Sequence, residues 1–218
     1  MSEYKLHCFA QSGHSYKAAL MLQLSGADWS PVWVDFFNGA SRSDAFRGDL
    51  NVMGEAPVLE HGALTLTQSG VILDYLAENF PTYAPQTPAE KREALRWILW
   101  ENHKLNSYLG TWRFFENFAP EKIRNADVEG FLKGRALAAV KVLAEHLSDR
   151  DWIASDRPTT ADIACSGYLF YPIEEYPGLS IPPAIAAWQD RMRALPNWAA
   201  PYDLMPGYPF GTKPEGTA

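Results

Sequence analysis

The chain has 218 residues, 47% of them apolar and 21% charged, which is enough length and hydrophobic surface to bury a core and excludes a disordered segment. With 26 Asp and Glu against 19 Lys and Arg the net charge is −7 and no basic cluster interrupts it, so neither a nucleic acid nor an anionic membrane is an expected partner. Two cysteines, Cys8 and Cys165, form neither a disulfide framework nor a CxxC pair, the first nine residues lack a signal-peptide core, and no apolar run reaches the ~18 residues of a membrane span; a soluble, cytoplasmic protein of a reducing compartment is expected.

Residues 4–9 place Leu6 and Cys8 on one parity, with Ala10 following on it, and read as a strand. After a polar turn at 11–15, residues 16–25 are rich in Ala, Leu and Met and stop at Gly26, the pattern of a helix with a glycine just past its end. Residues 31–37 read as a second strand and 43–50 as a short helix. Two further strands, 57–60 and 64–67, are joined through His61-Gly62, and 70–80 is a helix with Val71, Ile72, Tyr75 and Leu76 on one face. The order βαβα then ββα predicts a small mixed sheet, since the hairpin argues against a fully parallel one. Residues 81–88 hold three prolines and mark a domain boundary.

Beyond that boundary strand character disappears. Residues 89–118 predict one long helix kinked near Gly110, aromatic-rich through Trp97, Trp100, Tyr108, Trp112, Phe114 and Phe115. Residues 127–147, 159–171 and 183–194 predict three more helices, and 201–218 a proline- and glycine-rich tail. The fold class is therefore an α/β unit followed by an all-helical domain. The five histidines, His7, His14, His61, His103 and His146, show neither HExxH nor Cys/His spacing, and no GxGxxG or Walker motif is present, so neither a metal nor a nucleotide is expected.

Three local motifs converge. Met53-Gly54-Glu55-Ala56-Pro57-Val58-Leu59 opens a strand with a proline, whose missing N–H is tolerated there. Gln68-Ser69-Gly70 precedes a helix, with Ser69 reading as an N-cap beside free N–H groups that can hold an anion. Thr159 and Asp162, three apart, form a structural capping box. The ordered set, with Asn51 ahead of Gly54, resembles the cytosolic glutathione transferase family, in its serine-type, zeta- or theta-like bacterial form.

That resemblance implies a thioredoxin-like βαβαββα domain over 1–80 that binds glutathione as co-substrate, a linker at 81–88, and a helical domain over 89–218 that holds a small electrophile. It implies a homodimer and a role in detoxification. Carried over residue by residue, Ala56 offers its backbone to the cysteinyl amide with Pro57 in cis, while Gln68 and Ser69 hold the γ-glutamyl end. Ala at 56, where many members have Val, is harmless to a backbone interaction; Gln at 68, where Glu is commoner, replaces one charge with neutral hydrogen bonds. The turn Ser12-Gly13-His14-Ser15-Tyr16-Lys17 looks like the Ser-Ser-Cys-Ser-Trp-Arg turn of zeta-type enzymes. Matching Tyr16-Lys17 to Trp-Arg puts Ser12 on the catalytic serine, with Ser15 as the alternative. Arg42, Arg47 or Lys17 are candidates for the glycine carboxylate, each also readable as a solvated surface charge. Tyr108, Trp112 and Arg113 are candidates for the electrophile pocket.

A hydroxyl suffices chemically. Lowering a thiol pKa by two units takes about 2.7 kcal/mol; a hydrogen bond to a charged acceptor is worth about 1.5–3 kcal/mol, and a helix N-terminus adds about 0.3–1 kcal/mol. Besides conjugation, the same site fits glutathione-dependent isomerisation or disulfide and peroxide reduction. A non-catalytic binding protein of the same fold is the third reading, and the intact Ala56-Pro57 and Gln68-Ser69 pairs argue against it.

Overall fold

Alternation along β1 (Tyr4–Cys8) buries Tyr4, Leu6 and Cys8 and leaves Lys5 exposed, which places this strand inside the sheet of the computed structural model, whose described residues are 3–209. It pairs in parallel with β2 (Trp29–Trp33) and antiparallel with β3 (Val58–His61), which pairs antiparallel with β4 (Leu64–Thr67), giving the order β2-β1-β3-β4. Helix α1 (Gly13–Leu24) packs against α3 (Ser69–Asn79), and α2 (Asp44–Asp49) lies between β2 and β3 in the chain. The end of α1 is closed by Gly26 N–H on Gln23 O and Ala27 N–H on Leu22 O, each at 3.1 Å, with Gly26 at φ 65°.

Strand β2 differs from the 31–37 reading. Its register is tied to β1, whose end at Cys8 pairs with Trp33, and Pro31 lies within an edge strand, where a missing N–H is tolerated. The chain then leaves the sheet, and Phe36 and Phe37 become free to line a cleft.

The helical part contains α4 (Pro88–Trp100), α5 (Asn106–Asn117), α6 (Ala126–His146), α7 (Thr160–Cys165), α8 (Pro183–Arg193) and α9 (Pro201–Leu204). Between α4 and α5 runs a π-helical segment, Glu101–Leu105, so the break predicted at Gly110 falls earlier. Its cause is polar and buried: Glu101 accepts from Lys17 Nζ at 2.7 Å and from Asn106 Nδ2, which also donates to Ala164 O at 3.0 Å. Gly110 serves another purpose, because a Cβ there would sit 2.7 Å from the ring of Tyr168.

Helix α7 is shorter than the 159–171 reading. Asp162 is fully buried and accepts from Thr159 N–H at 2.9 Å, Ile153 N–H at 3.0 Å and Trp188 Nε1 at 3.0 Å, so the capping box also ties α7 to α8. Past Cys165 the chain turns, and Tyr168 and Tyr171 reach toward the N-terminal sheet. Among the described residues no helix is long and apolar enough to cross a membrane. The end of the proline-rich tail, 210–218, lies outside them.

Candidate active site

Strand β1 delivers the chain into a tight turn, and Ser12 stands at the N-cap of α1. Its N–H donates to Phe9 O at 3.0 Å, and its Oγ accepts from Ser15 N–H at 3.1 Å. The Ser12 side chain also meets the Tyr168 hydroxyl, and because a hydroxyl can accept at a cap and still donate, capping does not exclude a catalytic role. Ser12 lines two adjoining cavities, of about 370 and 380 Å³. Ser15 is fully buried, and among the described residues its Oγ has no hydrogen-bond partner.

The first cavity unites Ser12 with Glu55, Ala56, Pro57, Gln68 and Ser69. The Ala56–Pro57 bond is cis. Asn51 organises the preceding loop, its Nδ2 donating to Glu55 O at 2.8 Å and its Oδ1 accepting from Met53 N–H at 3.0 Å. Gln68, not Ser69, occupies the N-cap position of α3, with φ 67° and ψ 115°, an uncommon conformation for a side-chain-bearing residue. Ser69 is the first helical residue and sits among the free N–H groups of the first turn, which favour an anion. The Gln68 Nε2 donates to Glu55 Oε2 at 2.9 Å.

The second cavity is aromatic. Phe9 stacks on Phe36 at 4.7 Å, Phe37 meets Phe118 at 5.1 Å, and Phe114, Gly110 and Thr111 of α5 complete the wall, with the exposed Arg42 at its edge. Phe9, Ser12, His14, Phe36, Ser107 and Tyr168 belong to both cavities. The residues of α5 that line this cavity are Asn106, Ser107, Gly110, Thr111, Arg113 and Phe114.

Two of the pocket candidates lie elsewhere. Tyr108 packs edge-on against Phe131 with Arg135 over its ring, and Trp112 is fully buried, its Nε1 on Glu116 at 2.8 Å. Arg113 does line the second cavity, but its guanidinium is held by Glu175, by Gln11 O at 2.7 Å and by Tyr202 Oη at 2.8 Å. Lys17 is neither a surface charge nor open to a carboxylate ligand, since it is fully buried against Glu101. Arg47 is exposed and covers Gly54.

His14 and Tyr168 are site residues that sequence reasoning missed. His14, in the first turn of α1, meets Tyr168 edge-on at 5.7 Å, and burial, reinforced by the Lys17 charge, pushes its pKa down to about 3, so the imidazole is neutral at pH 7. A polar residue two places after Ser12 in a helix start was the one available signal. The ring of Tyr168 lies so close to Gly13 and Gly110 that a Cβ at either would be within 2.7 Å of it. Burial pushes the Cys8 thiol up to about 12 and that of Cys165 well above its ordinary range, so neither is a thiolate at neutral pH.

A thioredoxin-like sheet facing a helical domain across a double cavity defines the glutathione transferase fold. The family model for the glutathione S-transferase N-terminal domain matches residues 2–78, and that for the C-terminal domain matches 126–196. A solved structure from Rhodopseudomonas palustris, described as a possible glutathione S-transferase, is 34% identical with a TM-score of 0.84, covering 94% of this chain and 100% of that one. The maleylacetoacetate isomerase of Pseudomonas aeruginosa is 30% identical over 210 residues, 90% of this chain and 91% of the relative. The disulfide-bond oxidoreductase YfcG of Escherichia coli is 27% identical over 194 residues, 86% and 89% of the two. The chain belongs to the glutathione S-transferase family.

Proposed function

We propose that this protein binds glutathione in the cavity of Ala56, Pro57, Gln68 and Ser69, and that the Ser12 hydroxyl stabilises its thiolate for attack on a small electrophile in the aromatic cavity alongside. The observation that carries the reading is the position of Ser12 at the junction of the two cavities, where it lines both. The Ala56 backbone meets the cysteinyl amide, and the Ser69 hydroxyl, the Gln68 amide and the first turn of α3 receive the γ-glutamyl end. The thiolate then forms a bond to carbon as the leaving group departs with its electron pair. In this reading residues 1–80 hold the tripeptide, 81–88 link, and 89–218 supply the electrophile wall.

A second reading keeps the site and changes the reaction to disulfide reduction or double-bond isomerisation; the names of the Escherichia coli and Pseudomonas relatives favour it. A homodimer fits a groove of about 680 Å³ between α3 and α4, where Val71, Leu95 and Leu99 are exposed; a monomer in sedimentation velocity would remove it.

Glutathione binding is tested by thermal shift. Stabilisation grows as RT ln(1 + [L]/Kd), about 2.7 kcal/mol at a hundred times Kd. No shift at millimolar glutathione contradicts both readings. Parallel assays with a chlorodinitrobenzene-type electrophile, a disulfide and a maleyl substrate separate them.

A further inference from the structure

The two residues before Ser12 are held by groups from the C-terminal, helical part of the chain. Ala10 O accepts from Tyr171 Oη at 2.7 Å, and Gln11 O accepts from Arg113 Nη1 at 2.7 Å. Ala10 N–H donates to Pro206 O at 2.8 Å, and Gln11 Nε2 donates to Tyr208 O at 2.8 Å. Ala10 and Gln11 are buried, so these groups have little water to bond instead.

The two side chains that reach the carbonyls are themselves locked together. The guanidinium of Arg113 lies 4.0 Å above the Tyr171 ring, its Nε donates to Glu175, and its Nη2 donates to Tyr202 Oη at 2.8 Å. Tyr202 in turn donates to the second Glu175 oxygen at 3.1 Å. A planar fork with every edge engaged has one orientation, which an ammonium on a flexible stem cannot reproduce.

We infer that Arg113 and Tyr171 form a clamp by which the helical domain sets the backbone of the catalytic turn, so that Arg113 is a positioning residue for Ser12 and not a contact for the electrophile. The inference rests on Ser12 as the thiol-activating group. The Oγ of Ser12 is carried by the backbone that the clamp holds, and a displacement of about 1 Å in a catalytic group can cost on the order of 100-fold in rate.

The test compares Tyr171→Phe and Arg113→Lys with Trp188→Phe, which loses a buried hydrogen bond to Asp162 away from the turn. The first readout is amide hydrogen exchange over residues 9–15, and the second is the pKa of the glutathione thiol in the complex. Tyr171→Phe and Arg113→Lys are expected to exchange about tenfold faster in that segment. They should also raise the bound thiol pKa by roughly half a unit or more while the glutathione Kd holds within about threefold. Trp188→Phe should change neither. Wild-type exchange or a wild-type thiol pKa in folded Tyr171→Phe overturns the clamp, and that variant alone decides if Arg113→Lys does not fold. If the wild-type protein fails to bind glutathione, the functional reading falls, and hydrogen exchange alone still decides whether the turn is clamped.

Discussion

At the scale of single residues the site depends on small groups doing two things at once. Ser12 accepts from the helix it caps and also lines both cavities, so a residue typical of a cap stands at the candidate site. His14 beside it is held neutral, and this has a consequence for stability. Its pKa is about 3 in the folded protein against 6.5 ordinarily, so between those values the unfolded chain binds a proton that the folded one does not. Stability from this group is therefore complete above 6.5 and falls as the pH drops toward 3. Asp162 works in the opposite sense, since burial raises its carboxyl to about 6 from 3.8, and its contribution falls as pH rises through that window. His14→Asn removes only the first effect. The drop in urea midpoint from pH 7 to pH 5 should be smaller for His14→Asn than for the wild type; equal drops would contradict the assignment. Ala56, Pro57, Gln68 and Ser69 stood out in the sequence as short motifs with their own backbone logic and Ser12 through the resemblance of its turn, and one cavity brings all five together. Tyr168 did not stand out, because its place depends on glycines about 155 and 58 positions away, Gly13 and Gly110, and no local pattern records that distance.

Among the elements, the segment Glu101–Leu105 has the widest effect. A π turn adds about one residue to a helix, and each residue rotates the face by about 100°. The resemblance pointed to the middle of this helix without fixing its face, and the π turn ahead of it leaves Tyr108 and Trp112 off the cavity while Ser107, Thr111, Arg113 and Phe114 line it. The signal that could have shown this was the pairing of Lys17 with Glu101, and it spans 84 positions. Burial raises the pKa of the Glu101 carboxyl and the Lys17 charge opposes that, so removing the lysine leaves a buried acid with Asn106 as its remaining partner. Lys17→Met is expected to cost about 3–5 kcal/mol in urea unfolding, and adding Glu101→Leu should recover most of it. A cost below about 1 kcal/mol for the single change would show that the pair does not hold the segment.

For the whole molecule, the alternation of strand and helix character through residue 80 and its loss afterwards made the two-part architecture readable, because hydrophobic periodicity is a local property. How the parts meet is not local, and the candidate site lies where they meet: the N-terminal unit supplies Ser12, Pro57, Phe9, Phe36 and Phe37, and the helical part supplies Phe114, Phe118, Tyr168 and the residues that hold the turn. The scarcity of cysteine fits the proposed function, in which the reactive sulfur belongs to the ligand, since both thiols of the chain are buried and protonated. The most direct measurement is an ultraviolet titration of the thiolate of bound glutathione in the wild type, Ser12→Ala and Ser15→Ala. The account predicts a thiol pKa at least about one unit below the free value near 8.5 in the wild type and in Ser15→Ala, returning toward that value in Ser12→Ala with glutathione still bound. An unchanged thiol pKa in Ser12→Ala, or its loss in Ser15→Ala alone, would contradict it.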